Sequence, residues 1–174
     1  MPKIIEQLHE KLLSEAKKQM YERGYARTTI RSVAAALGVG VGTVYNYFES
    51  KEMLIAAFVY EDWKKYLQTM AALPTSDEKI LLGGIFDSLK QFSKEYEKLF
   101  SDNDAAKLVN AGSSSRHKML RDQIASFILP ICEKNGIQSP GFTAEFIAES
   151  IICWSVEKKE FDEIYPILEK IIKI

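Results

Sequence analysis

The sequence predicts an all-α protein: an N-terminal three-helix domain built around a helix-turn-helix, followed by a second helical domain. Three observations predict it. Apolar residues recur at spacings of three and four along the chain, the period of a helix face. The stretch TTIRSVAAALGVGVGTVYNYFESKEML, from Thr28 to Leu54, reads as two short helices joined by a glycine turn, then the capped start of a third. Pro74-Thr75-Ser76-Asp77 interrupts the helical pattern and separates residues 1–49, with a connecting helix over 50–71, from residues 72–174.

Ile5, Leu8, Leu12, Ala16 and Met20 step along one face of a first helix, placed at Lys3–Arg23 and ended by Gly24. Thr28 and Thr29 then offer hydroxyls just before a new periodic run, where an unpaired helical N–H needs an acceptor. Ile30, Val33, Ala34 and Leu37 form the buried face of that second helix, and Arg31, Ser32, Ala35 and Ala36 point outward. Gly38 follows the last periodic residue, where a left-handed cap favours a residue lacking Cβ. Val39 fills the angle between the helices.

Gly40 opens the next helix, and Val44 and Phe48, four apart, give it a buried seam. Ser50 suits an N-cap, with Glu52 in the first turn where a carboxylate complements the helix dipole. Lys51, beside the first backbone N–H groups of that helix, suits a phosphate. Leu54, Ala57, Phe58, Trp63, Tyr66 and Met70 carry the long fourth helix to the boundary.

Beyond the boundary, Leu81, Ile85, Leu89 and Phe92 phase a helix from Glu78 to Phe92, with Gly83-Gly84 inside it for close packing or a kink. Short helices are expected at Lys94–Phe100 and Ala105–Ala111, and a flexible loop at Gly112-Ser113-Ser114-Ser115. Met119–Glu133 is helical and interrupted by Pro130. Two closing helices are expected at Thr143–Lys158 and Phe161–Ile172.

Composition excludes several classes. Nearly half of the 174 residues are apolar, which supports a packed core and argues against disorder. The net charge of −1 conceals an asymmetry: Arg23, Arg27, Arg31 and Lys51 face a single acidic residue, Glu49, in that interval. Residues 71–174 hold 13 basic and 16 acidic residues. A local basic patch of this kind suits nucleic acid when a dimer doubles it. Cys132 and Cys153 read as reduced core residues, and His9 and His117 stand far apart, so no metal site or cofactor is expected. The N-terminal MPKIIEQLHEKLL has no apolar signal core and no apolar run can span a bilayer, so the expected setting is soluble and cytoplasmic, with no membrane partner. No nucleophile–base spacing or metal motif points to an enzyme.

The motif resembles the DNA-binding domain of the TetR family of transcriptional regulators. It matches that family's pattern at Thr29, Ala34, Gly38, Val39, Gly42, Thr43, Tyr45, Tyr47, Phe48, Lys51 and Leu54, with conservative variants at Val33 and Val44. It departs at Leu37, where alanine is commoner, and at Gly40, where the family often has serine. The resemblance covers about the first third of the chain. It implies a homodimer on a palindromic double-stranded DNA operator, released as a repressor by a small apolar or amphipathic effector. A helical regulator without a ligand, or an activator, remains open.

In that reading Arg27, Thr28, Tyr45, Tyr47 and Lys51 hold phosphates, while Arg31, Val41, Gly42 and Thr43 face base edges. Thr29, Gly40 and Asn46 complete the expected DNA surface. The resemblance places an effector pocket in the second domain, with Trp63, Tyr66, Phe86, Phe92, Phe100, His117 and Phe127 as candidates. Arg116, Asn110 and the Ser113–Ser115 loop are candidate polar elements beside them. Phe146, Ile147, Ser150, Ile151, Trp154, Ile164 and Leu168 on the last two helices either complete the chain's own core or form a symmetric four-helix dimer interface, which the resemblance favours.

Overall fold

A computed structural model describes residues 7–102, 105, 113–157 and 159–173. The described residues form nine helices and no strand: α1 (Leu8–Arg23), α2 (Ile30–Leu37), α3 (Val41–Tyr45), α4 (Lys51–Ala71), α5 (Glu78–Glu95), α6 (Glu97–Phe100), α7 (Ser113–Lys134), α8 (Pro140–Val156) and α9 (Phe161–Ile172). The chain divides into two compact units. One comprises Met1–Lys64 and Lys98–Ala111, the other Lys65–Glu97 and Gly112–Ile174.

In the first unit α1 packs on α2 and α2 on α3. Leu12 and Ala16 of α1, Val33 and Ala34 of α2, Val44 of α3 and Leu54 of α4 are buried with Phe48 as its core. The periodicity that places these residues is the one that specifies the helices, so local pattern and packing agree. Gly38 closes α2 in the left-handed conformation, φ 65°, with its N–H and that of Val39 returning to the last turn. Alanine there would carry a Cβ penalty that glycine avoids.

In the second unit α7 and α8 form the most extensive helix pair, and α5 and α9 pack against α8. Leu81, Ile85 and Phe86 of α5 meet Ile124 and Ile128 of α7, Ile147 and Ile151 of α8, and Ile164 and Leu168 of α9 in a buried core. The glycine pair serves close approach: a Cβ on Gly84 would lie 2.6 Å from Leu73 Cδ2, and one on Gly83 would lie 3.1 Å from Phe161 Cε1. Helix α5 continues unbroken through both glycines to Glu95.

Three boundaries differ from expectation. Ser113, Ser114 and Ser115 are not loop; they open α7, which runs on through Pro130 to Lys134. Helix α8 begins at Pro140, where a missing N–H costs nothing in the first turn. The expected helix over 106–111, and residues 3–6 of the expected first helix, lie outside the described residues. Cys132 is buried as expected, but Cys153 is exposed, because the α8 face that carries it also carries Phe142 and Phe146 outward. Burial pushes the Cys132 thiol above its usual range, and burial with the nearby Glu149 carboxylate does the same to Cys153.

Candidate nucleic-acid interface

The site grows from two caps. Thr29 is the N-cap of α2: its hydroxyl accepts from the Ser32 N–H at 3.0 Å, and Ser32 Oγ accepts from the Thr29 N–H at 2.9 Å. This reciprocal box satisfies two otherwise unpaired donors and fixes the direction of the first turn. Arg31, next to it, is exposed. Gly40, the N-cap of α3, has extended dihedrals but no side chain to accept a bond. Helix α3 therefore starts with bare backbone, Gly40 and Gly42 both exposed and Val41 and Thr43 half-buried.

Val44 and Phe48 are buried below α3, as the four-residue spacing requires. Tyr45 and Tyr47 are then turned outward, 52% and 47% exposed, and Asn46 is exposed between them. His9 on α1 lies beside this edge, its ring centroid 5.3 Å from that of Phe48 and 6.2 Å from that of Tyr47. Arg27 is exposed in the α1–α2 loop.

Two expected phosphate contacts are placed differently. Thr28 is 1% exposed, and its hydroxyl donates to the Gly24 carbonyl at 3.0 Å. It ties the loop to the end of α1 and cannot present its oxygen to DNA. Lys51 does not project from α4. Its ammonium lies 3.6 Å from the Tyr25 ring centroid and donates to the Tyr25 carbonyl. Tyr25 in turn donates through its phenol to Glu52 Oε1 at 3.2 Å. Backbone hydrogen bonding first, then bonds from Ser50 and Tyr25 and the charge of Lys51, hold the Glu52 carboxyl below its usual range against an opposing desolvation.

Sequence reasoning missed Gln19, Tyr25 and His9 as parts of this surface's support. Gln19 carried a readable signal: it follows Leu12 by seven and Ala16 by three, a polar residue in phase with the α1 core.

The other candidates scatter. Trp63 and Phe100 belong to the first unit, Trp63 buried and Phe100 exposed. In the second unit Tyr66 meets Phe92 edge-on, with centroids 5.4 Å apart, and donates to Glu95 at 2.8 Å. Phe86 is buried against Phe161, and Phe127 is half-buried. His117 faces outward, its Nε2 2.8 Å from Glu149 Oε1, and Arg116 is exposed. Asn110 lies outside the described residues. Of the interface candidates, Ile147, Ile151, Ile164 and Leu168 are buried within the single chain, Ser150 is half-buried, and Phe146 and Trp154 are exposed.

Among the described residues no group of three His, Cys, Asp or Glu side chains is arranged to hold a metal, and no helix is long and apolar enough to cross a membrane.

Fold and site together define a helix-turn-helix domain, with the short α3 following α2 across the Gly38 turn. Residues 12–58 match the tetR family of bacterial regulatory proteins. No curated protein sequence matches the chain. Among solved structures it is similar to a transcriptional regulator from Rhodococcus sp. Rha1, with TM-score 0.61 and 18% identity over 95% of this chain and 91% of that one. It is also similar to the TetR family repressor AlkX from Dietzia sp., implicated in biodegradation of n-alkanes, with TM-score 0.59 and 18% identity over 94% and 96%. BioQ, solved with its double-stranded DNA operator, aligns with TM-score 0.57 and 19% identity over 95% and 97%.

Proposed function

We propose that this protein is a dimeric transcriptional repressor that binds a palindromic operator and releases it when a small apolar or amphipathic effector binds. The observation that carries the DNA-binding reading is in the first unit: Arg27, Arg31, Tyr45, Asn46 and Tyr47 are exposed on α2, α3 and their flanks, within the tetR-family match. Arg31, on α2, has a guanidinium suited to bidentate reading of guanine, while Val41, Gly42 and Thr43 offer apolar contact and close approach. Arg27 and the two tyrosines hold phosphates and set register. The solved BioQ–operator complex supports duplex DNA as the partner.

The dimer reading rests on α8. Phe142 is 73% exposed and Phe146 50%, and Trp154 and Val156 continue the exposed apolar surface. Such a stripe suits a self-complementary contact with a second copy. The interface residues in this reading are Phe142, Phe146, Trp154 and Val156; Ile147, Ile151, Ile164 and Leu168 hold the helices that present them. Two recognition elements about 34–36 Å apart would then meet successive major grooves. The aromatic content of the second unit, including Tyr66, Phe92 and Phe127, supports an apolar effector. Coupling of about 1–3 kcal/mol would change operator affinity roughly 5–150-fold.

The test is selection of duplexes from a random library by the full-length protein, followed by titration of the selected duplex with and without candidate apolar ligands. A palindromic consensus is expected. Absence of any preferred sequence would overturn the DNA-binding reading, and a ligand that binds without shifting duplex affinity would overturn the coupling.

A further inference from the structure

We propose that Gln19, on α1, is a positioning residue for sequence discrimination: it completes the α2 cap from a neighbouring helix and so aims Arg31. The inference rests on the DNA-binding reading above. Gln19 is 1% exposed, a neutral amide on the apolar face of α1. A buried amide must find partners or lose the hydrogen bonds it made to water. Two of its three hydrogen bonds reach Ser32 at the start of α2, and the third stays within α1. Gln19 Nε2 donates to the Ser32 carbonyl at 3.2 Å and to Glu15 Oε1 at 2.7 Å, and Oε1 accepts from the Ser32 hydroxyl at 2.6 Å.

Ser32 therefore has two tasks. Its oxygen accepts the Thr29 N–H within the capping box, and its hydroxyl has Gln19 Oε1 as an acceptor at 2.6 Å. A capping box ordinarily takes glutamate or glutamine at this third position. Serine is shorter than either, and its one hydroxyl proton has two acceptors in reach, Gln19 Oε1 at 2.6 Å and the Thr29 carbonyl at 2.9 Å. Gln19 grips both the backbone and the side chain of Ser32, so it fixes the rotation and pitch of the α2 first turn against α1. Arg31 precedes Ser32 in that turn and is exposed. A guanidinium that reads a base edge bidentately loses that geometry on a small rotation of its helix, whereas phosphate contacts tolerate it.

The test uses full-length Gln19→Leu, which keeps volume and burial, alone and combined with Ser32→Ala. The probe is the duplex selected by the wild-type protein, with its single-base variants. In the Leu variant, discrimination between the selected duplex and variants at the Arg31-read position should fall about tenfold, while the salt dependence of binding stays unchanged. Ser32→Ala should have a similar effect, and adding Gln19→Leu to it should cause no further loss. In the protein without DNA, hydrogen exchange at the Ser32 amide should accelerate at least tenfold in the Leu variant. Unchanged discrimination, or losses that multiply in the double variant, would overturn the proposal. A general loss of helicity in Gln19→Leu would make Gln19 a structural residue, and would equally overturn it. Failure of the wild type to select any sequence would overturn the DNA-binding reading instead, and it shows before any variant is made.

Discussion

The Lys51 ammonium sits 3.6 Å from the centroid of the Tyr25 ring and donates to the Tyr25 carbonyl. The first residue of α4 is thereby tied to the loop between α1 and α2. Lys51→Met should lower folding stability by about 1–2 kcal/mol in denaturant titrations without DNA, from the lost cation–π contact and charged hydrogen bond discounted for partial exposure. The salt slope of duplex binding should change by less than the full unit that a direct phosphate contact would remove. A full unit of slope with unchanged stability would return Lys51 to the phosphate backbone.

Glu52, on the other side of Tyr25, has a carboxyl held below its usual range. A depressed carboxylate stabilises the fold at pH above its unfolded value and loses that contribution as pH falls through the folded value. Stability should therefore drop from about pH 4.3 downward, the ordinary glutamate range. Glu52→Gln should flatten that part of the stability profile and leave the neutral-pH region with a constant offset. An identical acid slope in the variant would show that Glu52 contributes nothing there.

Gly84→Ala gains helix propensity of about 1 kcal/mol. Its Cβ would meet both Leu73 methyl carbons, at 2.6 and 2.7 Å, and Leu73 Cγ at 3.3 Å. Rotating the methyls does not remove the Cγ contact, so the side chain must move as a whole. Overpacking of this kind costs about 1–3 kcal/mol. The variant should be less stable than wild type in thermal melts, and a rise in melting temperature would show that Leu73 yields freely.

Phe146→Glu should convert the protein to a monomer in sedimentation experiments while leaving its helicity intact, because Phe146 is half exposed in the single chain. Ile151→Glu should instead unfold the second unit, because Ile151 is buried there. A Phe146→Glu protein that sediments as a dimer would remove α8 from the interface.

The helices that sequence reading located best are those whose apolar residues repeat at helical spacing over several turns. Helix α9 is one case, its buried Ile164, Leu168 and Ile172 four apart. The Thr29 cap, the left-handed Gly38 and the buried Val44–Phe48 seam were legible because each rests on local chemistry. What was not legible depends on partners distant in sequence. Lys51 and Tyr25 are 26 residues apart, and Gln19 and Ser32 are 13 apart. The same holds for the last helices. An apolar count could not divide Ile147 and Ile151, which face inward, from Phe142 and Phe146, which face out.

Gly40 leaves the start of α3 with no side chain of its own, and the proposed operator reading therefore rests on Arg31 more than on that helix start. The most direct test of the account is the affinity ratio between a selected duplex and a shuffled one, measured at two salt concentrations for wild type and Arg31→Ala. Wild type should prefer the selected duplex by about a thousandfold or more. Arg31→Ala should lose about 1–3 kcal/mol of that preference, roughly 5–150-fold. A wild-type ratio near one, or a ratio that Arg31→Ala leaves unchanged, would contradict it.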